Sequence, residues 1–443
     1  MSPEYRPPVP PTRRTGRILL GLWAFLTLSQ LAYVLAYGHN QPWADEWEFV
    51  PVLTGNEPPV PFLMQPHNEH RLPLPRLIYL GLWANTHDFR LGMVLQVIFL
   101  AAMAWRGMRL AAHLRGVPSL ADAFFPLTLL HVGHCENLMM GYQLCFALAS
   151  TLSFQMLELA LRLTRANAPR TTLLAALVAL ALSLCGGFGI VLAAPIAAWV
   201  AVLLVRNWKR SPIENAATVL SLLATAAYVG YYLATYERPA AHPPFDPGNW
   251  LPSLEVAGEF LAVSFGIGIG PVWFVVLPLV LIAFGIAVRA GLKSRTAWRP
   301  LGVAAVAVGV VLLALAVGAG RGGFGSPHMG LWPRYSVLGW PLLAAIYLTG
   351  LIHRHGLSRG LPPALAIGAA LALLPNTLFG LDFGQRHDAW LSDIARQWRE
   401  GEPAEEIVER SLKGTGQEDR ARRGIPMLHA AKIGPFADWK PSP

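Results

Sequence analysis

Charge is scarce in this sequence: 14% of its 443 residues are Asp, Glu, Lys or Arg, whereas 54% are hydrophobic. The apolar residues fall in runs of about 17 to 22, the length at which a helix crosses roughly 30 Å of hydrocarbon. Strands of a membrane barrel would alternate apolar and polar residues, and these runs do not. The composition therefore predicts an all-α polytopic membrane protein.

Cysteine is also scarce, and the three present (Cys135, Cys145 and Cys185) include no CxxC pair. This pattern excludes a disulfide framework and a zinc knuckle. The sequence contains no internal repeat, and no Walker loop or dinucleotide fingerprint set between a strand and a helix. A cytosolic nucleotide-binding domain is therefore not expected.

The formal net charge of +9 comes from basic residues in short clusters between the apolar runs. Such clusters are typical of positive-inside sorting rather than of a nucleic-acid-binding face. Arg13, Arg14 and Arg17 precede the first run, so the N-terminus is expected in the cytoplasm. Later cytoplasmic turns are marked by Arg162, Arg165 and Arg170, by Arg206, Lys209 and Arg210, and by Arg289, Lys293, Arg295 and Arg299.

These signals predict about eleven transmembrane helices within residues 1–379. The first run is longer than the core of a cleaved signal peptide and is predicted to be retained. A small exocytoplasmic C-terminal helical tail, 380–443, follows the last span. The predicted spans lie at about 18–37, 90–113, 120–134, 144–163, 172–184, 188–205, 216–236, 271–290, 300–319, 336–352 and 361–379.

Exocytoplasmic loops with interfacial helices are predicted between these spans. In the first, 38–89, the stretch "LPLPRLIYLGLWANTH" is apolar but too short to cross, so an interfacial helix is expected. Residues 256–270 are predicted to form an interfacial or re-entrant piece before the span at 271–290. Two spans there would leave Lys293, Arg295 and Arg299 outside.

Polar clusters are predicted to gather on the exocytoplasmic side. Converging acids, histidines and arginines suggest a chamber for a polar, anionic substrate that arrives from the membrane. The candidates are Asp45 and Glu46, with Glu48 beside them; His67, Asn68, Glu69, His70 and Arg71; Glu136, Asn137 and Gln143; and Arg321, Arg334 and Tyr335.

Each cluster has more than one interpretation. The acids of "ADEWEF" fit a general base whose pKa is raised at the membrane surface, or a solvated loop. Asp45, His67 and His70 are weak candidate metal ligands, although "HNEHR" also fits hydrogen bonding to substrate or a polar turn. The histidines of "HVGHCEN" fit a metal or ordinary packing.

Two arginines bracket the late loop "GRGGFGSPHMGLWPRY". Arg321 ends an apolar run, and Arg334 precedes Tyr335 at the start of the next. A guanidinium at that depth suits a lipid-linked phosphate through bidentate hydrogen bonds. The alternative is a side chain that snorkels to the interface.

Taken together, "ADEWEF" after the first span, "HNEHR" in an interfacial segment and "GRGGFG…PRY" before a returning span resemble bacterial membrane glycosyltransferases of the GT-C superfamily. The resemblance implies transfer of a sugar from polyprenyl phosphate to an acceptor outside the cytoplasmic (inner) membrane, with inversion. It implies a catalytic or metal-binding role for Asp45, with Glu46 as the next candidate. Pro333 departs from the family's serine at that position, and the tail is smaller than in many relatives.

Under this interpretation Asp45 serves as the base, and Arg321 with Arg334 stabilises the departing phosphate. A divalent cation is compatible with the chemistry but not required by it. The expected partners are the lipid-linked sugar, membrane lipids and an unidentified acceptor of the cell envelope, with no nucleic acid. The main alternative is a transporter or flippase for a lipid-linked or anionic solute, whose path the same charges would line. A structural partner in an envelope complex is the third hypothesis.

Overall fold

A computed structural model describes residues 13–439, apart from 241, 294–297 and 354, and the regular secondary structure of this part is helical. One isolated bridge joins His67 and His70. The longer helices are α1 (Arg13–Tyr37), α2 (Pro73–Thr86), α3 (Arg90–Arg115), α4 (Leu144–Arg162), α5 (Ala168–Ser183), α6 (Gly187–Asn207), α7 (Pro212–Ala234), α8 (Leu251–Ala262), α9 (Trp273–Leu292), α10 (Trp298–Arg321), α11 (Tyr335–Ile352), α12 (Leu361–Arg399) and α13 (Glu418–Ala430).

Nine helices of the described chain are long and apolar enough to cross a membrane: α1, α3, α4, α6, α7, α9, α10, α11 and α12. The prediction of a helical, multi-pass membrane protein is therefore confirmed. α5 is apolar but shorter, at 16 residues. It packs along α6 and α7. α11 lies at the centre of the bundle, since nearly every one of its side chains is buried.

The continuous span predicted at 120–134 is wrong. This segment is broken into short helices, Phe124–Leu129 and Cys135–Met139, separated by turns. It runs antiparallel to α3, because Asp122 pairs with Arg115 at one end and Gly141 touches Gly92 at the other.

Burial explains how this broken segment is tolerated. All residues from 124 to 145 are buried. Irregular backbone at membrane depth occurs where protein rather than lipid surrounds it. The amide of Gln30 donates to the carbonyls of Leu129 and His131, at 3.1 and 3.2 Å, where the helix stops. The neighbouring helices thus satisfy the backbone groups that the break leaves free.

The first loop is helical, as predicted around its prolines. α2 begins with Pro73 and Pro75 in its first turn, where proline is tolerated, and it ends at His87 in a left-handed conformation with φ of 53°. The shorter helices Val50–Leu53 and Pro59–Met64 precede it.

The tail continues from the last span without a break. α12 has 39 residues and passes through position 380, so the predicted division into two parts falls inside one helix. The tail then folds onto the first loop: His39 contacts Asp388 at 2.8 Å, and the ring of Trp47 meets that of Phe436. We call residues 38–89 and 380–439 together the outer layer.

α8 is a half-length helix rather than a span. Its 12 residues rise about 18 Å. Ser253 at its start touches Gly318 near the end of α10, and Ser264 just after it touches Gly339 in α11. A single long apolar helix, α9, follows, in agreement with the expectation of one span in this region.

Candidate active site

A cavity of about 510 Å³ lies where the outer layer meets the ends of α4, α6, α7, α10 and α11. It brings together candidates that the sequence distributes over four separate segments. The predicted residues that line it are Asp45, His67, Asn68, Glu69, His70, Gln143, Arg321, Arg334 and Tyr335. Glu46, Arg71, Glu136 and Asn137 lie outside it.

The histidines enter the cavity from a tight turn. The backbone N–H groups of His67 and His70 each donate to the other residue's carbonyl, at 2.6 and 2.8 Å. Asn68 between them takes φ of 49°, a left-handed conformation that asparagine adopts more readily than most residues. The hydroxyl of Tyr232 on α7 donates to the carbonyl of Glu69 at 2.5 Å. The turn is therefore fixed against the bundle.

Asp45 belongs to a cluster of charges around His67. Its Oδ2 lies 3.4 Å from His67 Nε2, and Glu48 hydrogen-bonds the other ring nitrogen, Nδ1. Arg420 from α13 lies 2.6 Å from Glu48 and 4.0 Å from Asp45. Arg76, which is buried, lies 3.7 Å from Glu48. The His67 imidazole thus lies between two carboxylates, and these carboxylates in turn contact two guanidiniums.

The side chains around Asp45 and His67 set the charge states of these two residues. Burial opposes ionisation of Asp45, but the hydrogen bond and charge of His67, with Arg334 and Arg420, lower its pKa to about 2. Burial likewise opposes a charged His67, but Asp45 and Glu48 raise the pKa of that ring to about 9. At neutral pH Asp45 is an anion beside an imidazolium. The raised pKa expected for an acid of this motif is not found at Asp45, because cations surround that carboxylate.

A second group of charges centres on Glu69. Its carboxylate lies 3.2 Å from Arg321 Nη2 and 3.3 Å from His242 Nδ1. Burial lowers the pKa of the adjacent His70 to about 4, so that ring is neutral at neutral pH. Its Nδ1 has no hydrogen-bond partner among the described residues. A Cβ on Gly187 would come within 2.9 Å of that nitrogen.

Glu136 and Asn137 position Arg334 rather than lining the cavity. Arg334 Nη1 donates to Glu136 Oε1 at 2.7 Å, and the Asn137 amide donates to the Arg334 carbonyl at 3.4 Å. The guanidinium carbon lies 4.4 Å from the ring centre of Trp332. These contacts hold the planar guanidinium group of Arg334 at the edge of the cavity.

Glu46 has a different environment from its neighbour Asp45. It is fully buried, and its carboxyl accepts from the hydroxyl of Tyr79 at 2.6 Å and from the backbone of Trp43 and Tyr142. Burial raises its pKa to about 8 despite these donors. Glu46 therefore joins the first loop to the bundle and does not face the cavity.

Arg71 also points away from the cavity. Its guanidinium donates to the carbonyls of Met64, at 2.5 Å, and Thr235, at 3.2 Å. It lies over the ring of Tyr231, 5.4 Å from the ring centre. Arg71 therefore connects the first loop with the end of α7.

The three metal candidates, Asp45, His67 and His70, are not arranged as a metal site in the described part of the chain. Within the described ranges no group of three or more His, Cys, Asp or Glu side chains is placed to hold a metal ion. His67 has both nitrogens against carboxylates. The ring of His134 is hydrogen-bonded to Ser336 and to the Thr128 carbonyl and stacks on His131, with 4.1 Å between ring centres. The packing interpretation of "HVGHCEN" fits these contacts.

Several residues of the site were not predicted as site residues. Arg420 lies far along the chain in the tail, and His242 lies within a proline-rich loop, so nothing local connects either with Asp45 or Glu69. An aromatic signal was present, since tyrosines recur in "YVGYYLATY" at the end of α7. The aromatic side chains in the cavity wall are Tyr142, Phe146, Phe188, Tyr232, Tyr236 and Tyr335.

Part of the cavity wall is apolar. It includes Ile190 and Val191 of α6 and Leu313 and Val317 of α10. α7 packs on α5 and α6, whereas α10 packs on α4, α6, α8 and α11; across the described residues α7 and α10 make no extensive contact. Leu233 of α7, at the edge of the cavity, is 66% exposed. The apolar part of the cavity wall thus reaches an exposed side chain of α7 where α7 and α10 pack little against each other.

No protein family, no curated protein and no solved structure matches this chain.

Proposed function

We propose that the protein is a membrane glycosyltransferase of GT-C type that moves a sugar from a polyprenyl-phosphate carrier to an acceptor on the exocytoplasmic face. The observation that carries this proposal is that one cavity is lined by Asp45, by the cationic Arg321 and Arg334, and by apolar residues that reach the exposed Leu233. Such a shape accommodates a ligand with a charged head and a long hydrocarbon chain.

The carrier enters between α7 and α10 under this proposal. Its isoprenoid chain remains against apolar residues such as Leu313, Val317 and Leu233, while its phosphate reaches the polar end of the cavity. Arg321 lies at the cavity end of α10, where the apolar wall gives way to polar residues. Its position suits the contact with phosphate.

The chemical step is an in-line displacement at the anomeric carbon. The acceptor hydroxyl oxygen bonds to that carbon while the bond from carbon to phosphate oxygen breaks, and its electron pair leaves with the phosphate. Asp45 takes the proton of the hydroxyl, and the arginines stabilise the leaving group. Because cations lower the pKa of Asp45, it accepts the proton only as the hydroxyl becomes acidic in the transition state. Tyr232 and Tyr236 offer rings for the sugar.

The arrangement in the membrane follows from the same proposal. We count eleven crossings: the nine long apolar helices, α5, and the broken segment that runs the length of α3. The N-terminus and the basic clusters then lie in the cytoplasm of a bacterial cell, and the outer layer lies outside its inner membrane.

The test is release of free polyprenyl phosphate by purified protein in liposomes, with a polyprenyl-phosphate sugar as donor and an envelope extract as acceptor. We expect release that depends on the extract and disappears in Asp45→Asn. If donor or solute crosses the bilayer and no carrier phosphate is released, the protein is a transporter. If neither event occurs with any acceptor extract, the glycosyltransferase proposal fails.

A further inference from the structure

At the end of the bundle opposite the cavity, α9 is the long helix least covered by protein. Only Val280 and Ala287 of its 20 residues are buried. One of its faces carries residues at helical spacing that line a groove of about 540 Å³. The other wall of the groove is the short connector between α11 and α12, which includes His355 and Leu357.

The connector between α11 and α12 is held in one conformation by its own hydrogen bonds. Ser358 is buried, and its hydroxyl donates to the carbonyls of His355, at 2.7 Å, and His353. Gly356 takes φ of 59°, which turns the chain toward α9. The groove therefore has a fixed side and an apolar floor formed by Ile282 and Ile286.

The charged side chains at the mouth of the groove, Arg289 and Lys293 of α9, are both cations. The imidazole of His355 in the connector lies beside them. The sequence contains no Asp or Glu from 260 through 381. In the described part of the chain neither Arg289 nor Lys293 pairs with a carboxylate. An anion from outside the chain is the natural partner for these cations.

We propose that this groove binds an anionic phospholipid, with its phosphate at Arg289 and Lys293 and an acyl chain along Ile282, Gly285 and Ile286. Uncompensated basic residues at the end of a membrane helix attract anionic headgroups. The apolar floor favours a lipid over a free phosphate ion. α10 spans 24 residues, about 36 Å, between this end and Arg321. The site is therefore separate from the cavity and independent of the proposed glycosyl transfer.

The test is native mass spectrometry of the delipidated full-length protein, titrated with phosphatidylglycerol or phosphatidylcholine. We expect at least tenfold preference for phosphatidylglycerol and its loss in the double variant Arg289→Gln, Lys293→Gln. The matched control, Arg162→Gln with Arg170→Gln, removes the same charge from another basic turn and keeps the preference. Equal binding of both lipids, or equal loss in the control, overturns the proposal.

A second variant tests the contribution of the apolar groove while leaving its two cations in place. A Cβ on Gly285 meets nothing within 4 Å, so Gly285→Leu can extend a side chain from this position into the groove that Gly285 lines. We expect it to weaken phosphatidylglycerol binding tenfold or more while both cations remain. Unchanged binding in this variant refutes the groove as the site. Displacement of the lipid by equimolar inorganic phosphate likewise refutes a lipid site in favour of a plain anion site.

Discussion

Asp45 and Glu46 are consecutive acids in different surroundings. Because of this difference, matched substitutions can test which of them is the general base. Asp45 lines the cavity, whereas Glu46 is enclosed by Tyr79 and by backbone donors. Asp45→Asn is nearly isosteric, so insertion and carrier binding should persist. We expect turnover to fall about 100-fold or more, the scale of losing a positioned base. The measurement is release of polyprenyl phosphate at saturating donor.

Glu46→Gln is the matched control for this change, because it too removes one carboxyl without changing side-chain size. The variant should keep turnover within about threefold, since Glu46 lies outside the cavity. If Glu46→Gln abolishes turnover and Asp45→Asn does not, the catalytic acid is assigned to the wrong residue. If neither change slows transfer, the acidic motif is not catalytic.

Burial of Glu46 also predicts how stability depends on pH. Its pKa rises from an ordinary 4.5 to about 8 on folding. A raised pKa means that the folded state binds more protons, so the free energy of unfolding decreases as pH rises between these values. Glutamine is neutral at every pH. We expect the thermal midpoint of the wild type to fall from pH 5 to pH 8 more than that of Glu46→Gln; parallel curves for the two proteins would contradict the burial argument.

Arg321 and Arg334 are predicted to hold the carrier phosphate. Replacement of either by Lys keeps the charge but loses the planar fork. One lost charged hydrogen bond of roughly 1.5–3 kcal/mol lowers carrier affinity about tenfold or more. Binding of a labelled carrier to detergent-solubilised protein measures this effect. Arg71→Lys is the control, because Arg71 contacts backbone carbonyls outside the cavity; equal weakening in all three variants would point to a general structural effect.

For single residues, the sequence predicted which side chains line the cavity better than it predicted the surroundings of each one. In an apolar chain each charged residue near a span is conspicuous, so His67, Glu69 and Arg321 could be recognised. Arg420 could not, since arginine is ordinary in a polar tail. Nor could sequence separate Asp45 from Glu46, because the distinction lies in burial by Tyr79 and Tyr142, which only tertiary packing supplies.

Among the elements that do not line the cavity, α13 contacts the charged side chains around His67. It brings Arg420 to 2.6 Å from Glu48, while Gln417 just before the helix accepts from the backbone of Ala44 at 3.0 Å. Arg420 therefore acts through Glu48 and Asp45 as a positioning residue.

Arg420→Gln should lower turnover about tenfold and raise the pKa of Asp45, because one of the cations near that carboxylate is removed. The acid limb of the pH profile of turnover should consequently move to higher pH. Arg423→Gln is the control on the same helix, since Arg423 is exposed and pairs with Glu57, at 3.4 Å, away from the cavity. A change in turnover with no movement of the acid limb would indicate a merely structural role.

The elements themselves were predictable where one signal dominated. The prolines of α2 fall in its first turn and marked its start correctly. The segment 120–134 misled because its apolar composition suits a lipid-facing helix, yet it is enclosed by protein and need not remain regular. α12 exceeded its predicted end because its polar half packs on the first loop, a long-range contact that hydropathy does not report.

On the scale of the whole molecule, the two ends of the bundle differ in chemistry. One end carries the outer layer with the cavity beneath it, and the other carries the basic turns. The prediction of sidedness from arginine and lysine clusters requires that the first loop and the tail share a side, and the packing of Trp47 on Phe436 agrees with that requirement. Which side of the membrane they occupy follows from the positive-inside rule alone.

This sidedness is tested by cysteine labelling in intact cells with a membrane-impermeant maleimide. The native cysteines, Cys135, Cys145 and Cys185, are all buried, so the background is low. Asn56→Cys in the first loop and Thr415→Cys in the tail are exposed positions and should both be labelled. Lys209→Cys, an exposed position in the basic turn after α6, should react only after the cells are lysed. Labelling of Lys209→Cys in intact cells, with protection of the other two, would invert the molecule in the membrane. The cavity would then face the cytoplasm, and an exocytoplasmic transferase with a lipid-linked donor would no longer be tenable.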